Sequence, residues 1–160
     1  MSDAPLADAP RRAEAGHRGA LRSLSAVETE AERDGPMIVH AVSLTVSGGR
    51  ASASVEVRRD GEQSVGVAEG PCAGGAIDRL VAEATVQAVA GIVPDAALVA
   101  IDAISVTPAG PRTVVTVVLA RAVVVGDEPS VGVAAVGPGG VADAVAHAVV
   151  DALARRSPSA

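Results

Sequence analysis

One five-residue string occurs twice in this chain, each time in the same setting. Ser64-Val65-Gly66-Val67-Ala68 returns as Ser130-Val131-Gly132-Val133-Ala134. Each copy is followed by a Gly-Pro and a Gly-Gly: Gly70-Pro71 and Gly74-Gly75, then Gly137-Pro138 and Gly139-Gly140. Each then runs into a segment whose apolar residues recur at the i, i+3, i+4, i+7 spacing of a helix facing a core. In the first these are Ile77, Leu80, Val81, Ala84, Ala88 and Val89. In the second they are Val141, Ala144, Val145, Ala148, Val149, Ala152 and Leu153. A shared order of this length marks two copies of one supersecondary unit.

Strand signals precede each helix. Val42, Leu44 and Val46 alternate with Ser43 and Thr45 before a Gly48-Gly49 turn, and Val55 and Val57 alternate with Ser54, Glu56 and Arg58. Asp60-Gly61 then suits a two-residue hairpin turn, because both positions tolerate positive φ. Val65 and Val67 mark the third strand. In the second copy the expected strands are 98–106, 113–125 and 131–136, with turns at Pro108-Ala109-Gly110-Pro111 and Gly126-Asp127-Glu128-Pro129. The expected fold is therefore α+β: two pseudo-duplicated βββα units, helices on one side of the sheets, the helices near 74–91 and 139–156.

Within the second copy, Val114, Val115, Val117, Val118 and Leu119 put apolar groups on both faces of one strand. A strand covered on one face only shows polar residues on the other. Something must cover the second face, either the sheet of the other repeat or another subunit, and a mixture of both is favoured; a homodimer is expected, with Val115, Val117 and Leu119 at its interface.

Composition narrows the function classes. Nineteen acidic residues stand against 13 basic ones, for a formal net charge of -6, and Phe, Trp and Tyr are absent. A nucleic-acid binder needs a basic field and usually a stacking platform, so that class is excluded. The apolar 49% includes 34 Ala and 28 Val, so the core is built from small side chains. All 13 basic residues are Arg, and Lys, Asn, Phe and Tyr are missing, which points to the codon bias of a high-GC bacterium. The strongest apolar run, from Thr113, reaches Val125 only by passing Arg121; at about 13 residues it is short of a membrane span. No secretory signal is seen at the N-terminus, so a cytoplasmic location is expected.

Residues 1–35 are rich in Pro, Arg and Glu, and only Leu21, Leu24 and Val27 form a narrow apolar stripe. They read as a disordered arm, with 36–156 as the folded domain and 157–160 as a disordered tail. A docking helix around Leu21–Val27 is the alternative.

The chemistry-bearing residues are sparse. His17, His40 and His147 have no partner at metal-ligand spacing, and a single cysteine, Cys72, cannot close a zinc site alone. No metal and no cofactor is expected. No Gly-x-Ser-x-Gly elbow occurs, and the chain is expected not to be an enzyme. The two glycine-bearing loops present backbone N–H groups at a helix start, which suits either a tight turn or a small carboxylate.

The order and spacing of these elements resemble the C-terminal regulatory domain of 2-isopropylmalate synthase and citramalate synthase, the part that binds leucine and dimerises. The resemblance runs through Ala53-Ser54-Val55-Glu56-Val57-Arg58-Arg59-Asp60-Gly61-Glu62, Glu69-Gly70-Pro71, Ile101-Asp102 and Asp151-Ala152-Leu153-Ala154-Arg155, covering 37–156. It departs from the family at Cys72-Ala73, at Ala103 and in the Val136–Gly140 loop. It implies a stand-alone regulatory module, without the synthase's catalytic barrel, that binds a small carboxylate or a branched-chain amino acid. The implied ligand site comprises Gly70, Pro71, Gly137, Pro138, Gly139 and Gly140, with Asp102 as the partner of an ammonium group. The alternative is a structural or partner-binding dimerisation module that kept the fold and lost the pocket.

Overall fold

The Asp60-Gly61 turn forms as its residues dictate: φ is 50° at Asp60 and 83° at Gly61, and Arg59 pairs with Glu62 across it. Gly48 and Gly49, at φ 58° and 76°, close the preceding hairpin the same way, between Ser47 and Arg50. Positive φ at both central residues matches the twist of the flanking strands.

A computed structural model describes residues 35–121 and 129–155 of the chain. The expected arm, the tail beyond Arg155, and the stretch 122–128 with the Gly126-Asp127-Glu128 part of the last turn lie outside the described residues. The described elements belong to the unit that starts at Pro36.

The first repeat contains β1 (Ile38–Ser47), β2 (Arg50–Arg59), β3 (Glu62–Pro71) and α1 (Ala76–Ala90). A 3₁₀ turn at Pro94–Leu98, which the sequence pattern does not announce, leads into the second repeat. There follow β4 (Val99–Ala109), β5 (Arg112–Arg121), β6 (Ser130–Ala135) and α2 (Gly140–Ala154). Both sheets are antiparallel and three-stranded, in the orders β1-β2-β3 and β4-β5-β6. The chain is thus α+β, built from two βββα units.

The correspondence between units extends to an irregularity. In β1 the register skips His40, between the pairs Val39–Val57 and Ala41–Glu56. In β4 it skips Asp102, between Ile101–Leu119 and Ala103–Val118. Each is a one-residue bulge that sets two residues of the edge strand opposite one of the centre strand.

Each helix lies on one face of its own sheet, α1 on β2 and β3, α2 on β5 and β6. The helices also pack on each other, and each reaches the first strand of the other repeat: α2 touches β1 and α1 touches β4. This exchange makes one core of the two units. Its largest fully buried members are Val55, Val57, Val81, Thr85, Val115, Val117, Leu119, Val145 and Val149. Alanines at 84, 88, 148 and 152, also fully buried, line the helix faces that meet the strands. The burial of apolar area in many small pieces is what replaces aromatic side chains here.

Candidate functional site

Each pre-helix loop is held by one backbone bond to a neighbouring part of its sheet and by one within itself. In the first, Cys72 N–H donates to Gly49 O at 3.0 Å and Ala76 N–H to Ala73 O at 3.0 Å. In the second, Val136 N–H donates to Thr113 O at 2.8 Å and Gly140 N–H to Gly137 O at 3.0 Å. Gly70 is a buried residue of β3 facing Leu80, whose Cδ2 would lie 3.0 Å from an added Cβ. Pro71 ends β3 and is exposed, as is Pro138. Gly137 and Gly140 face open space, and Gly140 has φ +80°. Gly139 is the N-cap of α2.

Each helix start already carries a carboxylate. Asp78 lies in the first turn of α1 and Asp143 in that of α2, where the helix dipole favours negative charge. Burial pushes the Asp78 carboxyl above its ordinary pKa. The Asp143 side chain folds back over Gly139, its Oδ2 within 2.9 Å of where a Cβ would stand. An incoming carboxylate at this end of α2 would meet a like charge, whereas an ammonium group would meet its opposite. Asp143 also pairs with His147, Nδ1 to Oδ2 at 3.5 Å, on the exposed side of the helix. Cys72 is half-buried and packs against the core.

Asp102 is not beside the loop of its own repeat. It sits in the β4 bulge at the Leu119 end of β5, while the Val136–Gly140 loop is anchored at Thr113. Six residues of strand separate the two levels, or roughly 20 Å. The equivalent residue of the first repeat, His40, places Nε2 3.7 Å from Glu56 Oε1, and Arg58 pairs with the same oxygen at 2.9 Å. The bulge therefore delivers its side chain to the sheet face opposite the helices, here called the outer face. Among the described residues no group of three His, Cys, Asp or Glu side chains is arranged to hold a metal ion. No helix among them is long and apolar enough to cross a membrane.

The expected interface residues are placed differently from the sequence reading. Val115, Val117 and Leu119 are 0% exposed and point at the helix layer within one chain, so they cannot form a surface. Their strand neighbours Val114, Thr116, Val118 and Ala120 lie on the outer face. Beside them, Val131 and Val133 of β6 are 42% and 48% exposed. The sequence showed that β5 is apolar on both sides. It did not show which side faced in, because two apolar faces leave alternation with nothing to distinguish them.

Comparison of the chain with known protein families and with curated proteins gives no match.

Proposed function

We propose that the chain is a cytoplasmic, non-catalytic regulatory module that binds a small metabolite and works as a homodimer; the metabolite binding and the dimer are what its resemblance to the 2-isopropylmalate synthase regulatory domain implies. The observation that carries this reading is the pair of helix starts capped by Gly75 and Gly139, each opening a helix that packs on the other helix; the Gly-Pro pairs are not equivalent, since Gly70 and Pro71 lie in β3 while Gly137 and Pro138 follow β6. A ligand held at either loop would bias a helix start, and the helix–helix contact would pass that bias to the other repeat. The carboxylates of Asp78 and Asp143 at these starts favour a ligand with a positive end. Branched-chain amino acids therefore rank ahead of the matching 2-oxo acids, which have no ammonium group.

Thermal shift against both series tests this. A ligand at 100 times its dissociation constant adds about 2.7 kcal/mol of stability. A shift with the amino acids and none with the oxo acids is the expected result. If neither series shifts the protein, the second reading takes over: a dimerisation or partner-binding module without a pocket. That reading is favoured by the uncharged, valine-bearing middle of the outer face of the β4-β5-β6 sheet.

A further inference from the structure

The two repeats share a backbone plan but not an outer face. On the first sheet the outer positions of β2 are Arg50, Ser52, Ser54, Glu56 and Arg58, and β3 adds Glu69. The equivalent positions of the second sheet are Arg112, Val114, Thr116, Val118 and Ala120, with Ala135 on β6. Glu56, Arg58 and Glu69 thus become Val118, Ala120 and Ala135, and Ser52 becomes Val114. The fold does not require this, because the first repeat holds the same positions with charged and polar residues. The change leaves the middle of the second face uncharged; the exposed valines are common to both faces, Val131 and Val133 on the second and Val65 and Val67 on the first, and only on the second are they without charged neighbours on the centre strand.

We infer that this face packs against the same face of a second copy, face to face and with the strands antiparallel across a twofold axis. This rests on the proposed function only in taking the chain to self-associate. The charges at the two ends of the face select both the partner and the arrangement. Exposed Arg112 stands at the hairpin end, opposite Ala109, and exposed Asp102 stands in the bulge at the other end, beside Ala103 and opposite Val118. A twofold axis across the strands brings Arg112 of each copy to Asp102 of the other, giving two ion pairs around an uncharged centre in which Val114, Val118, Val131 and Val133 lie beside Thr116, Ser105 and Thr107. An axis along the strands would set Arg112 against Arg112. One such face per chain closes a dimer and leaves no second surface to propagate a fibre.

The size of the face sets the strength. Three strands at about 4.8 Å spacing and about 3.3 Å per residue give roughly 14 by 30 Å, a flat area of about 400 Å² per copy. Two such faces bury about 800 Å² in all, below the roughly 1,200–2,000 Å² of a stable interface, so the dimer is a weak one that dissociates readily on dilution.

Sedimentation velocity on the full chain over a dilution series tests the inference. The wild type is expected to dimerise. V118E combined with A135E, which gives the second face the two acidic groups that the first carries at Glu56 and Glu69, is expected to be monomeric with an unchanged far-UV spectrum. V67E, on the outer face of the first sheet, should dimerise as the wild type does. D102R should weaken the dimer about three- to tenfold, and D102R with R112D should restore it. A dimer that survives V118E/A135E, or a double reversal that fails to rescue, overturns the inference while leaving metabolite binding intact. A wild type that stays monomeric at about 1 mM, where even a dimer with a millimolar dissociation constant is substantially formed, overturns both the inference and the dimeric part of the proposed function.

Discussion

Gly132 of β6 and Ala148 of α2 stand so close that only a hydrogen fits between them. A Cβ on Gly132 would overlap the Ala148 carbonyl oxygen and lie 2.5 Å from the Ala152 amide nitrogen. Gly66 stands in the same relation to Ala84 and Ala88, with a Cβ 2.5 Å from the Ala88 amide nitrogen. The obstacle in each case is helix backbone, which cannot swing aside as a side chain can. Gly132→Ala and Gly66→Ala must each push a helix off its sheet. Overpacking of this kind costs about 1–3 kcal/mol and occasionally more, so both variants should unfold at clearly lower urea concentration than the wild type. Similar losses at the two sites are expected from the repeated geometry. A variant as stable as the wild type would mean that the helices stand further from the strands.

Val117 and Val118 are neighbours with opposite fates. Val117 is fully buried against the helix layer, and Val118 is on the outer face. Val117→Ala should cost about 2–3 kcal/mol, by lost burial plus the cavity left behind. Val118→Thr should change the stability of the monomer by no more than about 0.5 kcal/mol. Urea denaturation at a concentration dilute enough to keep the chain monomeric separates this effect from any change in association. Equal losses at the two positions would show that the second face is also interior to one chain.

These two pairs show what sequence could and could not convey. The repeat, the helices and the hairpin turns are written in periodicity and in Asp60-Gly61, so they are readable without coordinates. The close approach at Gly66 and Gly132 had a signal as well, a glycine in the middle of an alternating strand in both copies. The bulges had none, since one unpaired residue at His40 or Asp102 leaves no compositional trace. The candidate loops were found because glycine and proline punctuate helix starts. The distance of Asp102 from its loop was not, because it depends on the register of three strands.

Thr85 is the one buried polar side chain among the described residues. Its hydroxyl donates to the Val81 carbonyl oxygen one turn earlier, at 2.7 Å, so it needs no partner outside α1. Thr85→Val replaces that hydroxyl with a methyl of similar size, and the Val81 carbonyl keeps its helical amide donor. Stability should change by less than about 1 kcal/mol. Thr85→Ala, which leaves a cavity instead, should cost roughly 1–3 kcal/mol. If Thr85→Val is the more damaging of the two, the hydroxyl has a role beyond satisfying itself.

Two aspartates should respond to pH with opposite signs. Burial alone would raise the pKa of Asp151, but its bond from the Val133 N–H and the hydrogen bond and charge of Arg155 outweigh it, and the carboxyl is held below its ordinary value. Oδ2 accepts from Val133 N–H at 3.0 Å, tying α2 to the edge strand β6. A folded pKa below the unfolded one, about 3.9 for an aspartate, gives stability that is complete above that value and is lost as pH falls through the folded pKa. Asp151→Ala should therefore be destabilising at pH 7, by a margin that closes below about pH 4. Asp78 is raised by burial, so its ionised form carries a desolvation cost that protonation relieves. Asp78→Asn should be stabilising at pH 7, and its advantage should shrink as pH falls through a folded pKa that lies above the ordinary range. Urea midpoints for the wild type and both variants from pH 7 down to pH 3 measure the two differences. Differences of the same sign, or differences that do not move with pH, would rule out this assignment.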